Sequence, residues 1–266
     1  MKKISKSQLK SINNTNADLS DKVLSIGNQG KLGSCSAFGI ANAREIILHP
    51  NSVELSAWFL YKKTLENDRI EGEEDTGLYI QDALDVFKNI GCCEEKYWKY
   101  NETHKHRGTM KKNALVNAET YKIGKWSTVE KHLDAVRWTV NQGVPVIVSV
   151  GCYEGLRRPG KKGVITNVGT NKPKGNHCMV VVGYDDKTKL FKVLNSWGDK
   201  WADNGYCYMG YDYFMRILKE AYYVSDEKAT EKGFFAGLKN FILNIVTFPI
   251  KLIQNGIGWF KEKPLM

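Results

Sequence analysis

Apolar and polar positions along this chain fall into two regimes. From Cys35 to Leu48 (CSAFGIANAREIIL) the segment is apolar almost all round, with small residues interleaved. That pattern predicts a helix buried inside a domain. Ser34 stands at the N-cap position and Pro50 closes the segment. A second helix is predicted over Ser56–Glu66 and a third over Tyr79–Asn89, where Ile80, Ala83, Leu84 and Phe87 share one face. Gly91 follows where a helix-ending glycine belongs. Residues 1–20 read as a polar arm.

One more helix is predicted over Val129–Asn141, ended by Gly143; the pattern then changes. Short apolar runs follow at Val144–Val150, Cys178–Tyr184, Leu190–Ser196 and Gly205–Tyr211, separated by Gly, Asn and Lys clusters. These read as strands of an antiparallel sheet. Helices first and strands second predict an α+β fold of two lobes over residues 21–225.

The pattern breaks again after Ser225, where DEKATEK opens a C-terminal extension, residues 226–266. Phe234, Phe235, Leu238, Phe241, Ile242, Ile245 and Val246 form one helical stripe there, and Pro249 bends or breaks it. Two readings stay open: a peripheral membrane anchor through 233–260, or a stripe packed on the body of the protein or on a second copy. Lys239, Lys251 and Pro249 argue against a spanning helix.

Composition narrows the classes. The 266 residues are 42% hydrophobic and 26% charged, an ordinary globular balance with enough chain for a sizeable core. The net charge of +10 invites an anionic partner, yet no nucleic-acid motif appears, so a solvated basic surface is expected rather than nucleic-acid binding. No apolar core follows the opening Met1-Lys2-Lys3, so conventional secretion is not expected. The six cysteines have neither zinc nor disulfide spacing. Cys92 and Cys93 lie near His104 and His106 in sequence, but structural thiols explain them better than a metal. Reduced thiols in a cytoplasm, with no metal and no cofactor, are the expectation.

Three residues then change the picture. Cys35 lies in the first turn of the predicted buried helix, where partial positive charge favours a thiolate. His177 begins a strand after a glycine-containing loop, and Asn195 ends the next. Each alone is weak evidence. Together, a cysteine in the helical half can meet a histidine and an asparagine from the sheet half across a cleft, and 142 residues separate Cys35 from His177.

The segments around them resemble the papain-like cysteine peptidase family over residues 20–225. Gln29-Gly-Lys-Leu-Gly-Ser-Cys35-Ser-Ala-Phe is similar to the family's nucleophile segment. Asn176-His177 with CMVVVGYDD is similar to its histidine strand. Asn195-Ser-Trp197-Gly-Asp-Lys-Trp201-Ala-Asp-Asn-Gly205-Tyr206, the most specific of the three, is similar to its asparagine segment. The resemblance implies a papain-like fold, with a helical N-terminal lobe and a barrel-like antiparallel C-terminal lobe around a cleft. It also implies a protein or peptide substrate. Cys35 would be the nucleophile, held as a thiolate beside a His177 imidazolium, with Asn195 orienting the imidazole and Trp197 shielding that hydrogen bond. Gln29 and the Cys35 N–H would form the oxyanion hole. Gly77 would mark the strip along which substrate backbone lies, and Cys178 a side-chain pocket or simply a buried strand thiol.

Departures are equally legible. Ser36 replaces an aromatic residue after the nucleophile. Leu32 replaces a cysteine of the family's disulfide, in keeping with a reducing compartment. Only 34 residues precede Cys35, so a propeptide-free enzyme is expected. Alternatives left open are a catalytically silent peptide-binding module, a peptide ligase, and a function residing in the extension.

Overall fold

The computed structural model describes residues 15–67, 75, 77–101, 109–166 and 172–226. The extension's stripe, its expected membrane contact, and His104 and His106 lie outside them. Among the described residues no helix is long and apolar enough to cross a membrane.

The polar arm is corrected first. Asn16–Asp18 form a strand, β1, although their sequence carries no apolar alternation. Backbone pairing recruits them to the longest strand of the sheet, at Gly183, where a Cβ would lie 2.8 Å from the Ala17 carbonyl oxygen.

Helix α1 spans Cys35–Leu48, as its pattern predicts, and eleven of its residues, from Ser36 to Ile46, are buried. Ala37, Ala41 and Ala43 let neighbouring elements approach closely. Ser34 occupies the N-cap position but makes no capping bond; its hydroxyl donates to Tyr100 Oη instead, 2.7 Å away. Helices α2 (Ala57–Asn67) and α3 (Ile80–Asn89) pack against α1 and against each other. A short helix, α4 (Ala114–Thr120), follows.

The second half is built on one eight-stranded sheet. Its elements in chain order are β2 (Lys125–Thr128), α5 (Leu133–Asn141), β3 (Val146–Gly151), α6 (Glu154–Arg157), β4 (Val164–Ile165), β5 (Asn176–Asp185), β6 (Leu190–Leu194), β7 (Tyr206–Gly210), α7 (Tyr211–Ile217) and β8 (Leu218–Ser225). The strand order is β2-β8-β3-β5-β6-β7-β4, with β1 paired to β5. All pairings are antiparallel except β4 with β7.

Helix α5 starts at Leu133 rather than Val129. The Val129 N–H donates to the Ala221 carbonyl (2.8 Å), which draws it to the sheet. His132 then caps the helix by accepting the Asp134 N–H through Nδ1 (3.3 Å). β3 and the middle of β5 are buried along almost their whole length. α1 packs directly on β5, so the helix start at Cys35 is brought to the strand start at His177.

Candidate active site

Cys35 and His177 line one cleft of about 340 Å³. Its walls are Leu78, Tyr79 and Ile80 at the start of α3, Ser36 on α1, Asn176 and Cys178 on β5, Ser149 on β3, and Lys219 and Glu220 on β8.

Behind His177 stands Asn195. His177 Nε2 and Asn195 Oδ1 are 2.7 Å apart. The same oxygen accepts the Ser196 backbone N–H at 2.8 Å. A backbone N–H can only donate, so the amide oxygen must face it, and His177 Nε2 must then carry a proton. The remaining ring nitrogen, Nδ1, is left to accept or release a proton. Trp197 stacks on the imidazole, with centroids 4.6 Å apart and planes at 30°. Trp201 meets Trp197 edge-on at 5.2 Å. Trp197 therefore covers the His177–Asn195 pair.

Gln29 is not among the residues lining the cleft, but it is buried and tied to this group. Its Oε1 accepts the Ser196 hydroxyl at 2.7 Å and its Nε2 donates to the Leu32 carbonyl at 2.6 Å. Its backbone N–H donates to the Ser196 carbonyl at 2.9 Å. Tyr100 Oη donates to the Gln29 carbonyl at 2.9 Å. One of the two Nε2 hydrogens is used by Leu32, which leaves the other for a ligand.

Burial governs the charges. It pushes the Cys35 thiol up from its ordinary value, opposed by hydrogen bonds from the Cys178 and Ser36 backbone that favour the thiolate. It pushes His177 down to about 4, opposed by the bond to Asn195. Each group taken singly is neutral at pH 7, so a thiolate–imidazolium pair forms here only as a unit, the proton leaving one and joining the other.

The weaker candidates separate. Cys178 is buried, its thiol pushed well up by burial, and it packs where Gly39 of α1 leaves room: a Cβ there would lie 2.8 Å from its Sγ. It lines the cleft all the same. Gly77 does not line it; its Cα lies against Gly33, and Leu78–Ile80 after it form the wall. Ser36 finds a role in the missing aromatic residue's place, donating through Oγ to the Leu78 carbonyl at 3.1 Å. Ser196 and Tyr100 escaped the sequence reading, whereas the Leu78–Ile80 wall directly follows the Gly77 strip that it singled out. Ser196 lay inside a quoted segment without a role; nothing local marks Tyr100. Cys92 and Cys93 are buried free thiols, and no group of metal-ligating side chains occurs among the described residues.

A helix-borne cysteine sharing a cleft with a buried, asparagine-bound histidine, on an α+β body, defines the class of thiol-dependent acyl-transfer proteins. The sequence pattern of "Papain family cysteine protease" matches residues 12–225, and the chain belongs to that family. An uncharacterised peptidase C1-like protein of Acanthamoeba polyphaga mimivirus is 30% identical over 214 residues, covering 72% of this chain and 66% of its own. Cathepsin K of Mus musculus is 28% identical over 190 residues, covering 69% and 55%. The chain thus spans roughly half to two thirds of the length of these relatives. In fold it is similar to xylellain, a cysteine protease from Xylella fastidiosa, with a TM-score of 0.75 at 24% identity over 85% of this chain and 90% of that one. The bromelain protease of Ananas comosus, solved with the E64 inhibitor, gives a TM-score of 0.65 at 22% identity over 80% and 100%.

Proposed function

We propose that this chain is a cysteine peptidase that cleaves within protein or peptide chains. One observation carries the reading: the Asn195 oxygen holds His177 Nε2, which frees Nδ1 for chemistry in the cleft that His177 shares with Cys35.

Cys35 Sγ attacks the scissile carbonyl carbon as its proton passes to His177. The carbonyl oxygen gains negative charge and takes hydrogen bonds from the Cys35 N–H and the second Gln29 Nε2 hydrogen. His177 returns the proton to the leaving amine, the C–N bond breaks, and a thioester remains on Cys35. Water, deprotonated by His177, attacks that thioester and releases the acid and the thiol. Asn195 stabilises the imidazolium that appears in both halves. All six cysteines are free thiols, which supports action in a reducing, cytoplasmic compartment.

The test pairs wild type with Cys35→Ala on a proteome-derived peptide library, and treats wild type with E64, the ligand of the bromelain protease. Expected are internal cleavages absent from Cys35→Ala and one E64 adduct on Cys35. A folded wild type that neither cuts nor labels would sink the reading in favour of a silent binding module.

A further inference from the structure

Positive charge gathers in the stretch between β3 and β5, on the flank where the histidine strand begins. Arg157, Arg158, Lys161, Lys162, Lys172 and Lys174 are all exposed. Glu154 is the one acid in the sequence between Gly151 and Lys174. It lies 3.5 Å from Arg158, the one ion pair of this group among the described residues.

None of the six lines the cleft itself, but the fold ties both ends of this stretch to the His177 side. Gly151, which ends β3, pairs with Asn176, and Val150 with His177. One step further out the Cys152 N–H donates to the Gly175 carbonyl and the Lys174 N–H to the Cys152 carbonyl, both at 2.9 Å. Lys174 is therefore held just beyond the strand pair that carries the histidine. α6 with Arg157 begins two residues after Cys152. The turn at Lys161–Gly163 packs on Ala202, Asp203 and Tyr206, since a Cβ on Gly163 would lie 3.1–3.4 Å from their atoms. Ala202 adjoins Trp201, whose ring meets Trp197, the residue stacked on His177. Of the carboxylates nearby, Asp203 accepts the Tyr208 hydroxyl at 2.7 Å. Glu220 stands beside Lys219 in the cleft wall, and Asp199 beside Lys200 in the chain.

Chemistry gives this flank a meaning. The histidine that protonates the leaving amine must lie next to it, so the part of a substrate beyond the scissile nitrogen runs along the His177 side. We propose that the rim of Arg157, Arg158, Lys161, Lys162, Lys172 and Lys174 selects substrates that carry Asp or Glu on the C-terminal side of the scissile bond. This rests on the peptidase reading. Exposed contacts of this kind are individually small and screened by salt; several together give a preference of about 10-fold in kcat/KM at low salt, falling below about 3-fold at high salt.

Three fluorogenic peptides with one common scissile sequence test it. One carries three acidic residues on the leaving side, one carries them on the acyl side, and one is neutral. Wild type should prefer the first by about 10-fold and the second by less than about 2-fold. The double variant Lys172→Glu with Lys174→Glu should lose or invert that preference while keeping its rate on the neutral peptide. An equal gain from acids on either side would assign the effect to the net charge of the whole chain and overturn the proposal. So would a double variant with the wild-type preference. If wild type cuts none of the three, the peptidase reading fails, and fluorescence anisotropy with Cys35→Ala then decides the rim. Tighter binding of the leaving-side acidic peptide, lost on charge reversal, sustains it; equal binding of acidic and neutral peptides overturns it. Preferential binding of a single-stranded oligonucleotide, also lost on charge reversal, makes the rim a nucleic-acid surface and overturns it too.

Discussion

Asn195 Oδ1 accepts from both His177 and Ser196, which leaves the imidazole little freedom and fixes its tautomer. Burial then makes His177 a stability sensor. The unfolded chain binds a proton there below the ordinary value of 6.5, whereas the native protein resists it down to about 4. Between these values the unfolded state holds more protons, so stability rises with pH across the window and is lost as pH falls through it, by at most about 3 kcal/mol. Glu45 acts in the opposite sense: burial raises its carboxyl from 4.5 to about 8, so the native state holds the extra proton between those values. The measurement is therefore a difference, urea unfolding of wild type and His177→Gln at pH 4.5, 5.5 and 6.5. Wild type should lose stability faster toward acid than the variant, with the Glu45 contribution common to both. Parallel pH curves would mean that His177 does not resist protonation in the fold. The site's reacting groups were legible because each sits in a stretch of characteristic neighbours. Gln29's bond with Ser196 was not, because a hydrogen bond between residues 167 apart in sequence leaves no local trace.

Most elements announced by the apolar pattern formed close to where expected, α5 losing its first turn to the sheet, while elements with no local signal were not anticipated. α3 follows its apolar stripe, and α1 its all-round apolar run. β1 has only Ala17 as an apolar residue and exists through its pairing with β5. α7 runs into β8 at Leu218 with no Gly or Pro between, so no punctuation marked where one ends and the other begins. Helix ends were better marked, and two of them differ instructively. Gly91 has φ +95, and a Cβ there would lie 1.9 Å from the Ala118 carbonyl oxygen, a backbone atom that cannot swing away. Gly143 has φ +78 with nothing within 4 Å of a Cβ. Gly143→Ala should therefore cost only backbone strain, about 1 kcal/mol. Gly91→Ala adds overpacking to that strain, for about 3 kcal/mol, or roughly 10 °C in melting temperature for a body of this size. Equal melting temperatures for the two variants would show that the α3–α4 contact yields.

At the scale of the whole molecule, the helical half supplies the thiol and the sheet half the histidine, and what must be explained is how the two are held in register. α1 packing on β5 sets the coarse position. A second set of links joins the loop before α1 to the loop after β6. The Gln29 N–H donates to the Ser196 carbonyl, the Gly198 N–H to the Gly27 carbonyl, Asn28 bridges to Trp197, and the Ser196 hydroxyl donates to Gln29 Oε1. The backbone links survive any side-chain change, so Ser196→Ala removes one of the two bonds that hold the Gln29 amide, leaving only the bond from Nε2 to the Leu32 carbonyl. The fold should persist, with a melting temperature within a few degrees of wild type. The oxyanion donor should lose its aim, lowering kcat about 10-fold with KM nearly unchanged, since the ground-state carbonyl needs that donor less than the oxyanion does. Gln29→Ala removes the donor outright, for roughly 100- to 1,000-fold. Because both changes act on one amide, the double variant should be no slower than Gln29→Ala alone. Additive losses in the double variant would instead place Ser196 in a separate role, with the oxyanion site independent of the link between the two halves.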